Sequence, residues 1–464
     1  FRLISDFDAE ARKEAGDGYM GHWGGDCFDR VICDPTREQA YYRNSQIFEL
    51  KTGKRVGSFS PGISFDDMSF DKYGYLHIHF NPCFFGQGVG RVDPGRAPQG
   101  AKAKGEYKYP ECPYDYGVEA RGWLGILPTK DQCGAKGFQD GLGVNMRGDV
   151  ASESNIYFVP KWEDEVRGEA LAGDAARLKA GVWSEEANAY NAFIKSMDDA
   201  RKRGEEVYNI RHLPGIPLHG GTVWTYSRNG ELLNECAVIA GDLINGIQMD
   251  EDRSVYFVNS RPKAYSDKPF LYGKGGIIGV TGAENRKAHP FTATLIKTKP
   301  DQKCNVILSN AKVPMDPLPK RPADMIALDF MEEAYMGKGS WTWVEGGEWI
   351  YAGAGPVTSV GCSCPRQNLG LDWYKRTYLP EAYRHSIGIL DSNGNLIMHL
   401  GEYGNFDDAP GGKSGTKVGG QDIKMMLVRF ISATDNYLVY GDWSEKLVSL
   451  KLEYHAEESV AIGK

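Results

Sequence analysis

Short apolar stretches alternate with polar turns along most of the chain, and this pattern predicts an all-β protein. The clearest repeating unit is an apolar strand ending in aspartate, a polar turn, and a second strand rich in aromatic and β-branched residues. In three copies the aspartate precedes a tyrosine or histidine by six positions: Asp71 and His77, Asp250 and Tyr256, and Asp372 and Tyr378. Weaker copies occupy 31–44, 148–160, 343–354 and 430–442.

A second hairpin follows several of these units. Its tip carries a residue pair that accepts positive φ, as in Thr52-Gly53, Asn229-Gly230 and Asn393-Gly394. Two hairpins make a four-stranded antiparallel blade, and blades set around an axis form a propeller. Because a blade needs about 40–45 residues, the spacing of the acidic residues predicts six or seven blades in a single domain, 1–464. The strand at the beginning of the chain is predicted to complete the last blade, beside 447–454.

The segment 386–405, SIGILDSNGNLIMHLGEYGN, resembles the third and fourth strands and the exit of an NHL-repeat β-propeller blade. The Asn-His-Leu signature of that family is absent from the chain. The resemblance extends over about half of the chain, and it implies a propeller fold without implying a particular activity.

Three segments exceed what a blade requires. We predict loop insertions at 81–147 and 261–340, which are rich in Gly, Pro and Lys, and a helical insertion at 161–218, which is rich in Ala, Glu, Lys and Arg. Loops of this length commonly form lids or partner surfaces.

Composition narrows the function classes. The 464 residues include 54 Lys and Arg against 62 Asp and Glu, a net charge of −8, which argues against nucleic-acid binding. No apolar run is long enough for a membrane span. Nine cysteines fit no zinc spacing, so we expect disulfides, with Cys112 and Cys133 as a local pair. Together with a first residue, Phe1, that suggests a removed leader, this favours an extracellular or periplasmic location.

Residues just before the first strand of a unit and just after its second strand should share one face of the molecule. The candidate ligand-binding residues chosen on this basis are Arg147, Asn245, Asn259, Arg261, Arg366, Tyr383 and Arg384. Their arginines suit an anionic or polyhydroxylated ligand, because a guanidinium group forms bidentate hydrogen bonds.

Histidines on the same predicted face suggest a metal site. His77 and His79 alternate in one strand, and the candidate ligands are His22, His79 and His385, which would hold a divalent cation such as zinc, copper or calcium. The alternative is that these histidines pack or form local hydrogen bonds.

Several aromatic residues have two interpretations, stacking on sugar rings or packing between blades, and packing is favoured. They are Trp341, Trp343, Trp349, Trp373, Tyr374, Tyr378 and Tyr383.

Two functions remain open. The first is a secreted or periplasmic binding or assembly module that takes a protein partner or an anionic ligand on its arginine-rich face, as a monomer or an oligomer. The alternative is a metal-assisted lyase or hydrolase at the mouth of the central channel, as in the similar propellers of peptidyl-hydroxyglycine amidating lyases and lactonase-type hydrolases. No catalytic motif in the chain decides between them.

Overall fold

The computed structural model is built almost wholly from short β-strands, with a one-turn 3-10 helix at Ala382–Arg384. No described helix is both long and apolar enough to cross a membrane. The model describes residues 2–3, 30–42, 46–58, 65–80, 89–94, 123–127, 141–155, 202–203, 215–216, 221–240, 244–274, 292–309, 311, 315, 317–326, 340–355, 367–404, 423–444 and 446–453.

Four of the antiparallel four-stranded sheets run through the chain in simple strand order. Sheet 1 consists of β2 (Val31–Asp34), β3 (Gln39–Tyr42), β4 (Gln46–Glu49) and β5 (Arg55–Ser58). Sheet 2 consists of β6 (Phe65–Phe70), β7 (Leu76–Phe80), β8 (Val89–Val92) and β9 (Trp123–Leu127). Sheet 4 consists of β14 (Ile244–Met249), β15 (Val255–Asn259), β18 (Ala293–Thr298) and β22 (Gly347–Ala354). Sheet 5 consists of β23 (Gly370–Leu371), β24 (Thr377–Glu381), β25 (Ser386–Leu390) and β26 (Leu396–Leu400).

Sheet 3 is wider, with seven strands. Its first four strands are β10 (Leu142–Val144), β11 (Val150–Asn155), β12 (Gly221–Tyr226) and β13 (Leu232–Ile239). A parallel pairing continues the sheet through β19 (Cys304–Leu308), β21 (Trp341–Glu345) and β20 (Met325–Ile326). Two short ribbons, β16 (Ala264–Tyr265) with β17 (Lys268–Pro269) and β27 (Glu402–Tyr403) with β28 (Lys424–Met425), lie outside these sheets.

Sheet 6 joins the two ends of the chain. It consists of β29 (Val428–Ala433), β30 (Tyr437–Asp442), β31 (Lys446–Lys451) and the first strand, β1 (Arg2–Leu3). Arg2 lies opposite Ser449 and Leu3 opposite Val448 in an antiparallel pair. The predicted completion of the last blade by the beginning of the chain is therefore confirmed.

The first strands of the sheets contact one another in the order β2, β6, β10, β14, β23 and β29, and β29 returns to β2. This closed cycle is a propeller-like arrangement. The predicted count of six or seven separate four-stranded blades is wrong, because five such sheets are present in the described chain and 142–239 continue into the seven-stranded sheet.

Polar contacts also tie neighbouring sheets together near the axis. The buried Arg30 of sheet 1 forms an ion pair with Asp67 of sheet 2, and Asp67 Oδ2 accepts the Leu142 N–H of sheet 3 at 2.8 Å. Burial raises the pKa of Asp67 while the Arg30 charge opposes the rise. Farther round the cycle, Gln248 Nε2 donates to Asn368 Oδ1 at 3.0 Å between sheets 4 and 5.

The aspartate of the repeat has a common local role. Asp250 Oδ1 accepts the backbone N–H groups of Asp252 and Ser254, each at 3.0 Å, and so holds the turn after the first strand. Its other oxygen accepts the Tyr256 hydroxyl at 3.1 Å, six residues on. The same bond at the same distance links His77 Nε2 to Asp71 and the Tyr378 hydroxyl to Asp372.

Two of the predicted insertions contribute strands to the sheets. The segment 81–147, predicted as a loop, supplies β8 and β9 of sheet 2 and β10 of sheet 3. The segment 261–340, also predicted as a loop, supplies β18 and β19 besides the ribbon at 264–269. Of 161–218 the structure describes only 202–203 and 215–216, so its helices stay a prediction.

Of the described cysteines, Cys33 and Cys304 are buried free thiols, and Cys236 is buried as well. Burial raises the pKa of Cys33 and of Cys304 to about 12, so both are inert thiols at neutral pH. The disulfide predicted between Cys112 and Cys133 lies outside the described residues.

Candidate functional site

A buried carboxylate between sheets 4 and 5 gathers three polar side chains. Glu381 ends β24 and is fully buried. Its Oε1 accepts the Tyr351 hydroxyl of β22 at 3.0 Å, and its Oε2 accepts the Ser386 hydroxyl of β25 at 3.0 Å. The same Oε2 lies 2.7 Å from Nδ1 of His399 on β26. The carboxylate therefore meets side chains from three other strands, and it is satisfied despite its burial.

A glycine on the intervening strand makes this reach across the sheet feasible. Gly388 of β25 pairs with Leu379 on one side and with His399 on the other. A Cβ atom at Gly388 would stand 2.8 Å from Glu381 Oε1 and 2.9 Å from its carboxyl carbon. Only a residue without a side chain leaves room for the carboxylate to pass over β25 to His399.

The carboxylate fixes the orientation of the His399 ring. An ionised carboxylate only accepts hydrogen bonds, so Nδ1 of His399 carries the proton that points at Glu381. A quarter of the His399 side chain is exposed, and Nε2 makes no hydrogen bond with the described residues and is not buried. The Nδ1–H of His399 therefore points to Glu381, and Nε2 is the ring nitrogen that is open to solvent.

The two tyrosines near Glu381 stay protonated. Burial, strengthened by the negative charge of Glu381, raises the pKa of Tyr351 far above its usual range. The pKa of Tyr383 is also raised, by burial first and by Glu381 second, although the exposed Arg384 opposes the rise. Tyr351 is thus a fixed hydrogen-bond donor that helps to hold the carboxylate.

Tyr383 closes the inner side of this cluster. Its ring fills the space beside Gly353, where φ is +98° and a Cβ atom would lie 2.7 Å from the Tyr383 hydroxyl. The edge of Phe270 from the ribbon at 264–269 meets the Tyr383 ring, with centroids 5.7 Å apart. Tyr265 packs on Phe270 at 5.9 Å and is half exposed, so an aromatic wall leads from the cluster toward solvent.

The structure brings several of the predicted ligand-binding residues to one end of the strands. Asn245 and Asn259 lie on paired strands of sheet 4, where Asn259 faces Ile244 across the pair. Asn259 Oδ1 accepts the Arg261 backbone N–H at 3.0 Å, whereas its buried Nδ2 has no hydrogen-bond partner among the described residues. Tyr383 and Arg384 lie at the corresponding end of sheet 5.

Arg261 has a structural role, because it joins two sheets. It is fully buried, and its guanidinium group donates to the Ser340 hydroxyl at 2.7 Å and to the Thr342 hydroxyl at 2.9 Å. Since Thr342 belongs to β21, Arg261 fastens sheet 4 to sheet 3.

Other predicted residues do not join this group. Arg147 lies in the turn between β10 and β11, at the opposite end of the strands from Asn259, because it falls inside a hairpin and not beyond one. Arg366 and His22 lie outside the described residues.

The two described histidines of the predicted metal site lie on opposite sides of the axis. His79 faces Asp67 in sheet 2, whereas His385 follows the 3-10 turn of sheet 5, three sheets away in the cycle. His385 Nδ1 donates to the Met426 carbonyl at 2.7 Å. In the described part of the chain, no three His, Cys, Asp or Glu side chains come close enough to hold a metal ion. The described residues therefore do not fit the predicted metal.

Sequence reasoning missed Glu381 and His399 for different reasons. Glu381 is the last residue of the second strand of sheet 5, two positions before Tyr383, so the rule that selects residues just after a second strand stops short of it. His399 lies in a fourth strand, and its pairing with Gly388 becomes visible only with the register of β25 and β26.

Comparisons with known proteins find only distant similarity. No family model matches the chain, and no curated protein matches it. Among solved structures, a gluconolactonase from Xanthomonas campestris is similar at 9% identity and TM-score 0.36, covering 92% of this chain and 86% of its own. Regucalcin, a calcium-binding protein from Agrobacterium tumefaciens, is similar at 8% and 0.32, covering 89% and 80%. Virginiamycin B lyase from Staphylococcus aureus is similar at 9% and 0.31, covering 92% and 94%. The propeller-like arrangement rests on the closed cycle of first strands, and no family model supports membership of the NHL-repeat family.

Proposed function

We propose that this chain is an enzyme of the hydrolase or lyase type in which His399 transfers the proton. The observation that carries the proposal is the 2.7 Å contact between Glu381 and His399 Nδ1, with Nε2 left open to solvent. A general base needs a ring nitrogen that is free to take a proton and a partner that fixes the other nitrogen. Tyr351 and Ser386 act as positioning residues, because they hold Glu381 rather than contact a substrate.

The chemistry follows from the tautomer. Neutral His399 removes a proton through Nε2, from a water molecule in hydrolysis or from a carbon atom in elimination. The imidazolium ion that forms is stabilised by the buried Glu381 carboxylate, and it returns the proton to the leaving group.

The placement of the arginines favours this alternative over the binding module. The prediction of a binding module relied on arginines gathered on one face. However, Arg261 is buried in hydrogen bonds between two sheets, and Arg147 lies at the other end of the strands. Arg384 is the exposed arginine of the set at the end where His399 lies. It suits a substrate that carries an anionic group.

The test has a catalytic and a substrate-free arm. The purified chain is assayed against lactones, carboxylic esters and uronate oligosaccharides, and we expect His399→Gln to lower the rate that it shows by about 10²–10⁴-fold with the fold intact. His385→Gln is the matched control, since it removes a histidine at the same end without touching Glu381.

The substrate-free arm reads the tautomer directly. We expect ¹⁵N chemical shifts of His399 to report a proton on Nδ1, and Glu381→Gln to disturb that state. A full rate in His399→Gln, or a proton on Nε2 in the unmodified chain, contradicts the proposal.

A further inference from the structure

On the face opposite to His399, hairpins from facing sheets meet across the axis of the molecule. Lys72 follows β6, and its Nζ lies 5.2 Å from the ring centroid of Tyr73 and 5.3 Å from that of Trp373, which follows β23. The strands β6 and β23 are three steps apart in the cycle of first strands, so they lie on opposite sides of the axis. The ammonium group of Lys72 therefore bridges the axis between two aromatic rings.

The row continues on both sides of this bridge. The Arg228 guanidinium carbon, in the turn between β12 and β13, lies 4.9 Å from the Tyr73 centroid, and its NH1 is 3.5 Å from the Tyr73 hydroxyl. On the other side of the bridge, Tyr374 follows Trp373 in the turn between β23 and β24. We name Arg228, Tyr73, Lys72, Trp373 and Tyr374 the hairpin row.

The aromatic members of the hairpin row are open to solvent. The exposed fractions are 40% for Tyr73, 39% for Trp373 and 61% for Tyr374. Of the seven aromatic residues that the sequence offered for sugar stacking, Trp373 and Tyr374 are the two with large exposed surfaces, whereas Tyr378 is buried. These rings lie on hairpin tips outside the core, and the exposed part of each is accessible to a ligand beside the cations that contact it.

Part of the positive charge on this face is not neutralised. Lys375 pairs with Asp252, and Arg376 pairs with Asp372 at 2.6 Å. Lys72 and the exposed Arg147 take part in no ion pair with the described residues. The Lys72 backbone N–H donates to the Met146 carbonyl at 3.0 Å, which brings the turn that carries Arg147 next to Lys72. Aromatic rings beside cations without an ion-pair partner suit a ligand that carries both flat apolar faces and carboxylates.

We propose that the hairpin row binds an acidic oligosaccharide of the uronate class. Tyr73 and Trp373 stack on the sugar rings, while Lys72 and Arg147 pair with the carboxylates. The net charge of −8 opposes long-range attraction of any polyanion, the acidic oligosaccharide included, so contacts at short range must supply the affinity. This binding site is separate from the proposed function, because no residue of the hairpin row contacts Glu381 or His399 in the described structure.

The experiment measures binding of tetragalacturonic acid to the full chain by calorimetry. We expect Trp373→Ala and Lys72→Met each to weaken binding at least tenfold, because one removes a stacking face and the other a charge. The control is Tyr272→Ala, which removes a half-exposed tyrosine that also lies under a lysine, Lys268, but on another hairpin. Circular dichroism verifies that each variant folds.

Four outcomes overturn the inference. They are no binding of tetragalacturonic acid at millimolar concentration, an unchanged Kd in both Trp373→Ala and Lys72→Met, equal binding of the methyl-esterified oligosaccharide, and tighter binding of an oligothymidylate with the same dependence on Lys72 and Trp373. The last outcome assigns the row to nucleic acid. An unchanged Kd in only one of the two variants removes that side chain from the site, while the tenfold loss in the other supports it.

Discussion

At the level of single residues, the same buried hydrogen bond to an aspartate occurs in three repeat units, but the donor group differs between them. Asp250 and Asp372 accept a tyrosine hydroxyl, whereas Asp71 accepts Nε2 of His77, all at 3.1 Å. A tyrosine hydroxyl stays protonated across the physiological range, but histidine titrates within it. Burial lowers the pKa of His77 below 6.5, and the positive charge of Arg91 adds to this, while the bond to Asp71 opposes it.

This difference predicts that, among the three units, only the one with His77 makes the free energy of unfolding sensitive to acid. As the pH falls below about 6.5, the unfolded chain takes up a proton at His77 that the folded chain refuses, so the free energy of unfolding decreases by up to about 1.4 kcal/mol per pH unit. His77→Tyr copies the other two units and should remove that decrease. His77→Phe should remove it as well, but at lower stability throughout, since it cannot donate to Asp71. Parallel urea stability curves for His77→Tyr and the unmodified chain from pH 7.5 to 5 contradict this account.

The six-residue spacing shows how far the sequence reaches at this level. Asp71, Asp250 and Asp372 were recognisable because both partners lie in one hairpin, where a fixed number of residues fixes the geometry. Glu381 and His399 were not, because 18 positions separate them and their contact depends on the pairing of two further strands. Bonds within one hairpin leave a spacing in the sequence, whereas bonds that reach over further strands do not.

Among the strands, β25 is important because it leaves space for the Glu381 carboxylate at Gly388. Gly388 has no side chain, so the Glu381 carboxylate of β24 passes over β25. The carboxylate can then reach β26 on the other side. The hairpin tips at Asn229-Gly230 and Asn393-Gly394 were predictable from turn chemistry, and both glycines have positive φ. The extension of sheet 3 was not, because β13 pairs with β19 in parallel across a long intervening segment, and such pairing has no short-range signal.

Gly388→Ala should therefore uncouple Glu381 from His399. A Cβ atom 2.8 Å from the carboxylate oxygen displaces it, and we expect a loss of about 1–3 kcal/mol in the free energy of unfolding together with a changed His399 tautomer. Gly57→Ala is the matched control, since its Cβ atom would have its nearest neighbour, Ile47, at 4.0 Å. Denaturant unfolding and ¹⁵N spectra measure both effects. The idea fails when Gly388→Ala and Gly57→Ala behave alike.

For the molecule as a whole, the closed cycle of first strands makes stability depend on contacts between the ends of the chain. Cys33 N–H of sheet 1 donates to Ser432 Oγ of sheet 6 at 3.0 Å, 399 positions apart. Asn436 of sheet 6 also bonds Glu38 of sheet 1 on the hairpin face. Such distant contacts close late in folding, because their loop entropy is lost before they form. A ring that is joined at one place should open there first.

The place of opening is testable at β1, which adds its two residues to β31. Deleting residues 1–5 leaves β31 as an unpaired edge and removes the only strand that ties the beginning of the described chain to its end in sheet 6. We expect a melting temperature lower by about 1–2 °C, because an entropy of unfolding of about 2.1 cal/mol/K per residue converts roughly 1–2 kcal/mol into that shift in a chain of 464 residues. Deleting residues 460–464, which follow the last strand, is the control for a shortened terminus.

Hydrogen exchange should show β31 and β30 losing protection before β14 and β15, because the latter pair lies between closed neighbours. Equal melting temperatures for the two deletions, or uniform loss of protection across all four strands, would mean that the cycle is held by its polar contacts at the axis and not by the joined termini.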